Sequence, residues 1–157
     1  MNKLLFTFLF LTFGAAWGGV YEDGDAAFGR GDSVTAVKLW RPLAEQGDVS
    51  AQFGLGHMYD GGQGVLQDYK EAVKWYRLAA EQGHANAQAN LGVMYHYGYG
   101  VPRDYSRAHM WFNLASAAGE ATATEDRDII AKKMTPQQIE KAQEMAKACQ
   151  ARNLKGC

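Results

Sequence analysis

The sequence predicts an all-α protein built from stacked helix pairs, and three observations predict it. A gapless internal repeat recurs at an offset of 36 residues, with 16 of 34 positions identical between residues 51–84 and 87–120. Within each half-repeat the apolar residues fall three and four positions apart, as they must to line one face of a helix. Glycine and aspartate then punctuate the halves where helices stop and start. A shortened third copy precedes the two full ones, and three copies are about the number at which neighbour-on-neighbour packing sustains an array.

The chain has 157 residues, is 47% hydrophobic and 21% charged, and carries a formal charge of −1, a globular composition that fits a single domain. It opens with a leader-like segment: Lys3, an apolar run from Leu4 to Phe13 broken only by two threonines, then Gly14-Ala15-Ala16-Trp17-Gly18-Gly19. This pattern predicts a signal peptide over residues 1–18 and an exported mature domain over 19–157, periplasmic or secreted. The run is too short for a permanent membrane span. An uncleaved anchor or a buried amino-terminal helix are the alternatives. Loss of Lys3 would move the charge from −1 to −2. Such a surface offers no general attraction for nucleic acid.

The shortened first repeat occupies 21–48. Its first half runs from about Tyr21 to Arg30, and its second, Ala36 to Gly47, aligns with Ala72 to Gly83. Gly31-Asp32 leaves no room for the Gly-x-Gly-Val connection of the later copies. In the second repeat, 51–84, Ala51, Leu55, Met58 and Tyr59 make one apolar face, while Ala72, Trp75, Tyr76, Ala79 and Ala80 make that of the partner helix. The alanines suit a close helix crossing and the aromatics fill the space between successive pairs. The third repeat, 87–120, repeats the scheme. Asp68 and Asp104 stand where they can cap the second helices, and Gly47, Gly83 and Gly119 where helices end.

Residues 121–157 break the period and read as a helical carboxyl-terminal cap. A charged helix begins near Thr124, a second starts at Thr135-Pro136 and runs to about Ala151, and Ile129, Ile130, Met134, Ile139, Ala142, Met145 and Ala146 supply apolar faces. A terminal repeat needs such a cover because one side has no neighbour. Cys149 and Cys157 are the only cysteines. In an oxidising compartment a disulfide between them is the default, worth about 2 to 3 kcal/mol by restricting the unfolded chain. Two free thiols or an intermolecular link remain the alternatives.

The elements Ala-x-x-x-Leu-Gly-x-x-Tyr, Gly-x-Gly-Val, Asp-Tyr, Ala-x-x-Trp-Tyr/Phe and Leu-Ala resemble those of the Sel1-like repeat family, a branch of tetratricopeptide-like solenoids. The resemblance covers nearly all of the mature chain. It implies a right-handed superhelix with the first helix of each pair on the inner surface, and a role among adaptors and partner-binding proteins.

The sequence therefore points to a non-catalytic interaction module that holds a peptide segment or small protein domain on its concave face. Phe53, His57 and Asp60, with their later counterparts Ala89, Val93 and His96, lie on the side of the first helices opposite the packed face. The apolar members would anchor a partner and the polar ones select it. Tyr97 and Tyr99, set in a glycine-rich loop, offer an aromatic edge for a peptide or a glycan, so recognition of a cell-envelope glycan is the second reading. No cofactor is expected. His57, Asp60 and His96 do not by their spacing form the convergent set that zinc requires. No serine or cysteine pairs with histidine in a nucleophile motif, so no catalytic residue is assigned. The oligomeric state is not fixed by the sequence.

Overall fold

The computed structural model describes the chain from Phe13 onward, with side chains from Gly19. Most of the expected leader, residues 1–18, lies outside the described residues. The described residues form eight α-helices, α1 (Phe13–Gly29), α2 (Ser33–Glu45), α3 (Val49–Gly61), α4 (Tyr69–Ala80), α5 (Ala85–Tyr97), α6 (Tyr105–Ala117), α7 (Ala123–Ala131) and α8 (Pro136–Ala151). Pairs α1/α2, α3/α4 and α5/α6 stack in chain order into a right-handed superhelix, each helix packing on the one before and after it. Both α7 and α8 close on α6, the last surface without a neighbour.

Local chemistry sets the helix starts. Asp32, Asp68 and Asp104 each accept a backbone N–H of the first turn of a second helix, and Asp48 does the same for α3. At the equivalent position before α5 stands His84, whose Nδ1 accepts from the Ala87 amide. Thr135 and Gln138 form a reciprocal capping box with Pro136 in the first turn of α8.

Packing between paired helices rests on a glycine set opposite an aromatic ring. A Cβ on Gly56 would stand 2.5 Å from the Tyr76 ring and one on Gly92 2.7 Å from Phe112, while on Gly24 it would overlap the Trp40 indole. Trp40, Tyr76 and Phe112 occupy the same repeat position. The first repeat therefore keeps the notch although its loop is shorter. Each notch lets the helix axes approach until the ring is buried, and a buried aromatic side chain contributes about 1.5–3 kcal/mol.

The Gly-x-Gly loop joins one repeat to the one before it. Gly64 has φ +70 and Gly100 φ +68, which only glycine adopts without strain. A side chain on Gly64 would meet the Ser33 carbonyl at the start of α2, and one on Gly100 the Tyr69 carbonyl at the start of α4. In the first repeat α1 passes to α2 through Arg30, Gly31 and Asp32, without this loop.

Two hydrogen bonds recur at the same offset between repeats. Arg41 donates to the Tyr59 hydroxyl at 2.8 Å and Arg77 to the Tyr95 hydroxyl at 2.7 Å. Gln52 and Gln88, both buried, donate through Nε2 to the Ala44 and Ala80 carbonyls at 3.1 Å. These add a side-chain donor to helix-end carbonyls that also accept from the Gly47 and Gly83 amides.

Cys149 and Cys157 form a disulfide with Cα atoms 5.6 Å apart, folding the tail back onto α8. Leu154 and Cys157 pack on the same apolar cluster as α5, α6 and α8. Of the apolar residues expected to cover the last repeat, Ile130, Ala142 and Ala146 are buried, but Ile129 is 42% exposed because α7 has only nine residues and rests on α6 by one face.

Candidate functional site

Three sets of residues on the repeat surface are chemically distinctive. The first lies along the outward faces of α3 and α5. On α3, Phe53 is half-buried, its ring stacked on His84 at 4.4 Å and tilted against Tyr76 at 5.9 Å. One face of the ring is thus committed to the next repeat. Burial holds the His84 imidazole below its ordinary pKa, which favours the neutral ring that caps α5 and stacks on Phe53. His57 is exposed, with the edge of Phe28 6.1 Å away.

Asp60 is half-buried, and its carboxylate accepts a hydrogen bond from the Tyr76 hydroxyl at 3.3 Å. Desolvation raises its pKa, while the Tyr76 hydrogen bond and the nearby His57 act in the opposite sense. The equivalent ring in the next repeat is Phe112, which has no hydroxyl to offer, and position 96 is histidine instead of aspartate. Ala89 and Val93 are half-buried at the edge of the core on α5.

The second set is a run of stacked rings at the loop edge. Tyr69 stacks on Tyr99 at 4.9 Å, Tyr99 on Tyr97 at 5.5 Å, and Tyr97 on His96 at 4.3 Å, with Tyr105 edge-on to His96 at 5.7 Å. Tyr97 is 59% exposed and Tyr99 42%. Arg103 and Lys133 lie over the Tyr105 ring at 5.5 and 6.0 Å, within cation–π range. Lys133 Nζ is also 3.3 Å from His96 Nε2. Burial and then the Lys133 charge lower the His96 pKa.

The structure joins His96 to Tyr97 and Tyr99 in one strip, and places His57 beside Asp60. It draws in Tyr69, Tyr105, His84 and Lys133, which sequence reasoning did not single out. The repeated Asp-Tyr dipeptide was the available signal for Tyr69 and Tyr105, since it sets a ring at the base of each loop. Nothing local marked Lys133, which comes from the cap. Among the described residues no three His, Cys, Asp or Glu side chains converge as metal ligands.

The third set lies on the opposite edge, where each repeat turns into the next. Solvent-open clefts recur there at Gln52 and at Gln88.

The family model for the Sel1 repeat matches residues 15–48, 49–84 and 85–120. The chain belongs to the Sel1 repeat family. Sel1 repeat proteins are generally protein-interaction modules. Among solved structures, the chain is similar to a protective antigen of uropathogenic Escherichia coli strains described as displaying an SLR fold, with TM-score 0.79 and 37% identity over 83% of this chain. That match spans only 29% of the antigen's own length. A Sel1 repeat protein from Oxalobacter formigenes matches with TM-score 0.66 and 33% identity, over 73% of this chain and 90% of its own. No protein of curated function matches.

Proposed function

We propose that this Sel1 repeat protein is an exported, non-catalytic adaptor that holds a peptide segment or small protein domain along the inner faces of α3 and α5. One observation carries the reading. The two full repeats agree at most positions where helices pack and differ along these faces: Phe53 against Ala89, His57 against Val93, Asp60 against His96. A face with different chemistry in each repeat can recognise an asymmetric partner. Half-exposed Phe53, Ala89 and Val93 offer apolar area, and His57, Asp60 and His96 offer polar selection.

Pull-down from the envelope fraction with mature protein tests this. Val93→Asp and His57→Asp are the controls, because Phe53 also supports Tyr76 and His84. Both variants should keep the wild-type helical signal and lose one specific partner. Retention of every partner by both variants would sink the proposal. Export is checked by amino-terminal sequencing of the protein recovered from the periplasm or medium, with the new terminus expected near Gly18 or Gly19.

Glycan recognition is the second reading, favoured by the exposed edge of the Tyr97 and Tyr99 rings, which are held parallel between Tyr69 and His96. A sugar can lay its apolar face along such an aromatic edge and its hydroxyls on the phenol groups. Titration with cell-wall oligosaccharides should perturb the tyrosine spectrum of wild-type protein and leave Tyr97→Ala/Tyr99→Ala unchanged; an unchanged wild-type spectrum would count against this reading.

A further inference from the structure

The two turn-edge clefts are built from equivalent positions and finished differently. In the earlier one, the Gln52 side chain donates Nε2 to the Ala44 carbonyl, and its Oε1 accepts from Gln82 Nε2 at 2.8 Å. Gln82 also donates to the Gly47 carbonyl at 3.2 Å. The carboxamide of Gln82, reaching back from the end of α4, thus completes the edge.

One repeat later Gln88 takes the place of Gln52 and makes the same bond, Nε2 to the Ala80 carbonyl at 3.1 Å. Its Oε1 is therefore turned as that of Gln52 is. Position 118, which corresponds to Gln82, is alanine. Gln88 is 1% exposed, and its Oε1 is buried without a partner among the described residues. A buried acceptor left unpaired carries the full cost of its lost hydration. Gln88 lines a cleft of about 660 Å³, against about 540 Å³ for the earlier one. That volume lies in the range of small-molecule and peptide sites. Leu114 and Ala118 give the cleft apolar walls, and Gly83 stands where Gly47 supplies its carbonyl. Asn153 and Leu154 of the disulfide-tied tail form the far side, both with left-handed backbones at φ 51 and 66.

We propose that this cleft is a binding site for a primary carboxamide on a short aliphatic stem, the side chain of glutamine, which would do for Gln88 what Gln82 does for Gln52. The N–H₂ group donates to Gln88 Oε1 and to the Gly83 carbonyl, and the methylenes lie on Leu114 and Ala118. A carboxylate of the same shape has no proton to donate and is rejected. The site is on the turn edge, away from the inner faces of α3 and α5, so it stands or falls independently of the adaptor reading.

The test is a titration of the mature, disulfide-intact protein followed by the side-chain amide signal of Gln88 in heteronuclear NMR. One arm uses free L-glutamine, and the other a blocked Ala-Gln-Ala peptide ending in a methylamide. Saturable shifts of Gln88 and Leu114 are expected in at least one arm, and the tighter arm identifies the source as free amino acid or protein segment. Gln88→Leu, followed through Leu114, should weaken binding about tenfold, the effect of one buried hydrogen bond. Ala118→Gln should abolish it by supplying the internal carboxamide, without loss of folding, since Gln82 already fits that position. Three results would overturn the proposal: no saturable shift in either arm, an equal response to L-glutamate, or an unchanged response in Ala118→Gln. A contact between the Gln88 and Asn153 side-chain amides in the free protein would make the tail the occupant and overturn it as well.

Discussion

The repeat at α3/α4 and the repeat at α5/α6 have the same skeleton and different surfaces. Positions identical between them include Ala51/Ala87, Leu55/Leu91, Gly56/Gly92, Met58/Met94, Ala72/Ala108 and Trp75/Trp111, all of them buried. Gly64/Gly100 and Asp68/Asp104 are also identical, and they fix a loop contact and a helix start. The outward positions 53, 57, 60, 61 and 63 have no identical counterpart. Close packing leaves little choice of shape in the interior. On the outward face the fold imposes no such demand, and that face is where partner chemistry can be written.

The largest test of this contrast removes the rings that the glycine notches admit. Tyr76→Ala and Phe112→Ala should each cost about 3–5 kcal/mol in urea unfolding, and by similar amounts, because both rings are buried at one repeat position. A difference of several kcal/mol between them would break the equivalence of the two skeletons. Filling the notch instead, with Gly56→Ala or Gly92→Ala, should cost about 1–3 kcal/mol, since the added Cβ meets a ring that has little room to retreat. The cap is held by a different device. Cys149→Ser with Cys157→Ser should lose about 2–3 kcal/mol, with amide exchange rising first in the tail and the end of α8.

A smaller effect separates the two first-helix caps. Burial holds His84, His96 and His109 below the ordinary histidine value of 6.5. The unfolded chain binds protons more readily at these sites, so their contribution to stability is complete above pH 6.5 and is lost as pH falls through the lowered folded values. Protonated His84 can no longer accept from the Ala87 amide. Thermal melts should therefore fall between pH 7.5 and 5.5, and His84→Asp, which copies the Asp48 cap of the earlier repeat, should flatten part of that fall. An unchanged pH profile would remove His84 from this account. Asp60 and Asp126, raised by burial above 3.8, act with the opposite sign: their contribution is lost as pH rises through the folded values. The smallest stability change belongs to the surface. His57→Val, which gives α3 the residue of α5, should stay within about 0.5 kcal/mol of wild type because His57 is exposed.

The helix pairs, the shortened first copy, the aspartate caps and the distinct carboxyl-terminal cap are all legible in the sequence. Each depends on residues within one or two helical turns, or on a period repeated often enough to see. Pairing of the two cysteines, the default expected for an oxidising compartment, is seen in the structure. The neighbours of the outward residues are set otherwise. Phe53 has one face engaged by His84, Asp60 accepts from Tyr76, and Tyr97 and Tyr99 are held in line by Tyr69. Gln52 Oε1 meets Gln82, while Gln88 Oε1 has no partner among the described residues.

What the sequence by itself determined is which face of each helix packs, because a 3.6-residue period encodes that face locally. Which outward side chains remain free was decided only by the tertiary structure. The Asp60–Tyr76, Gln52–Gln82 and His96–Lys133 contacts join residues 16, 30 and 37 apart, and the way successive helices pack sets whether those side chains meet.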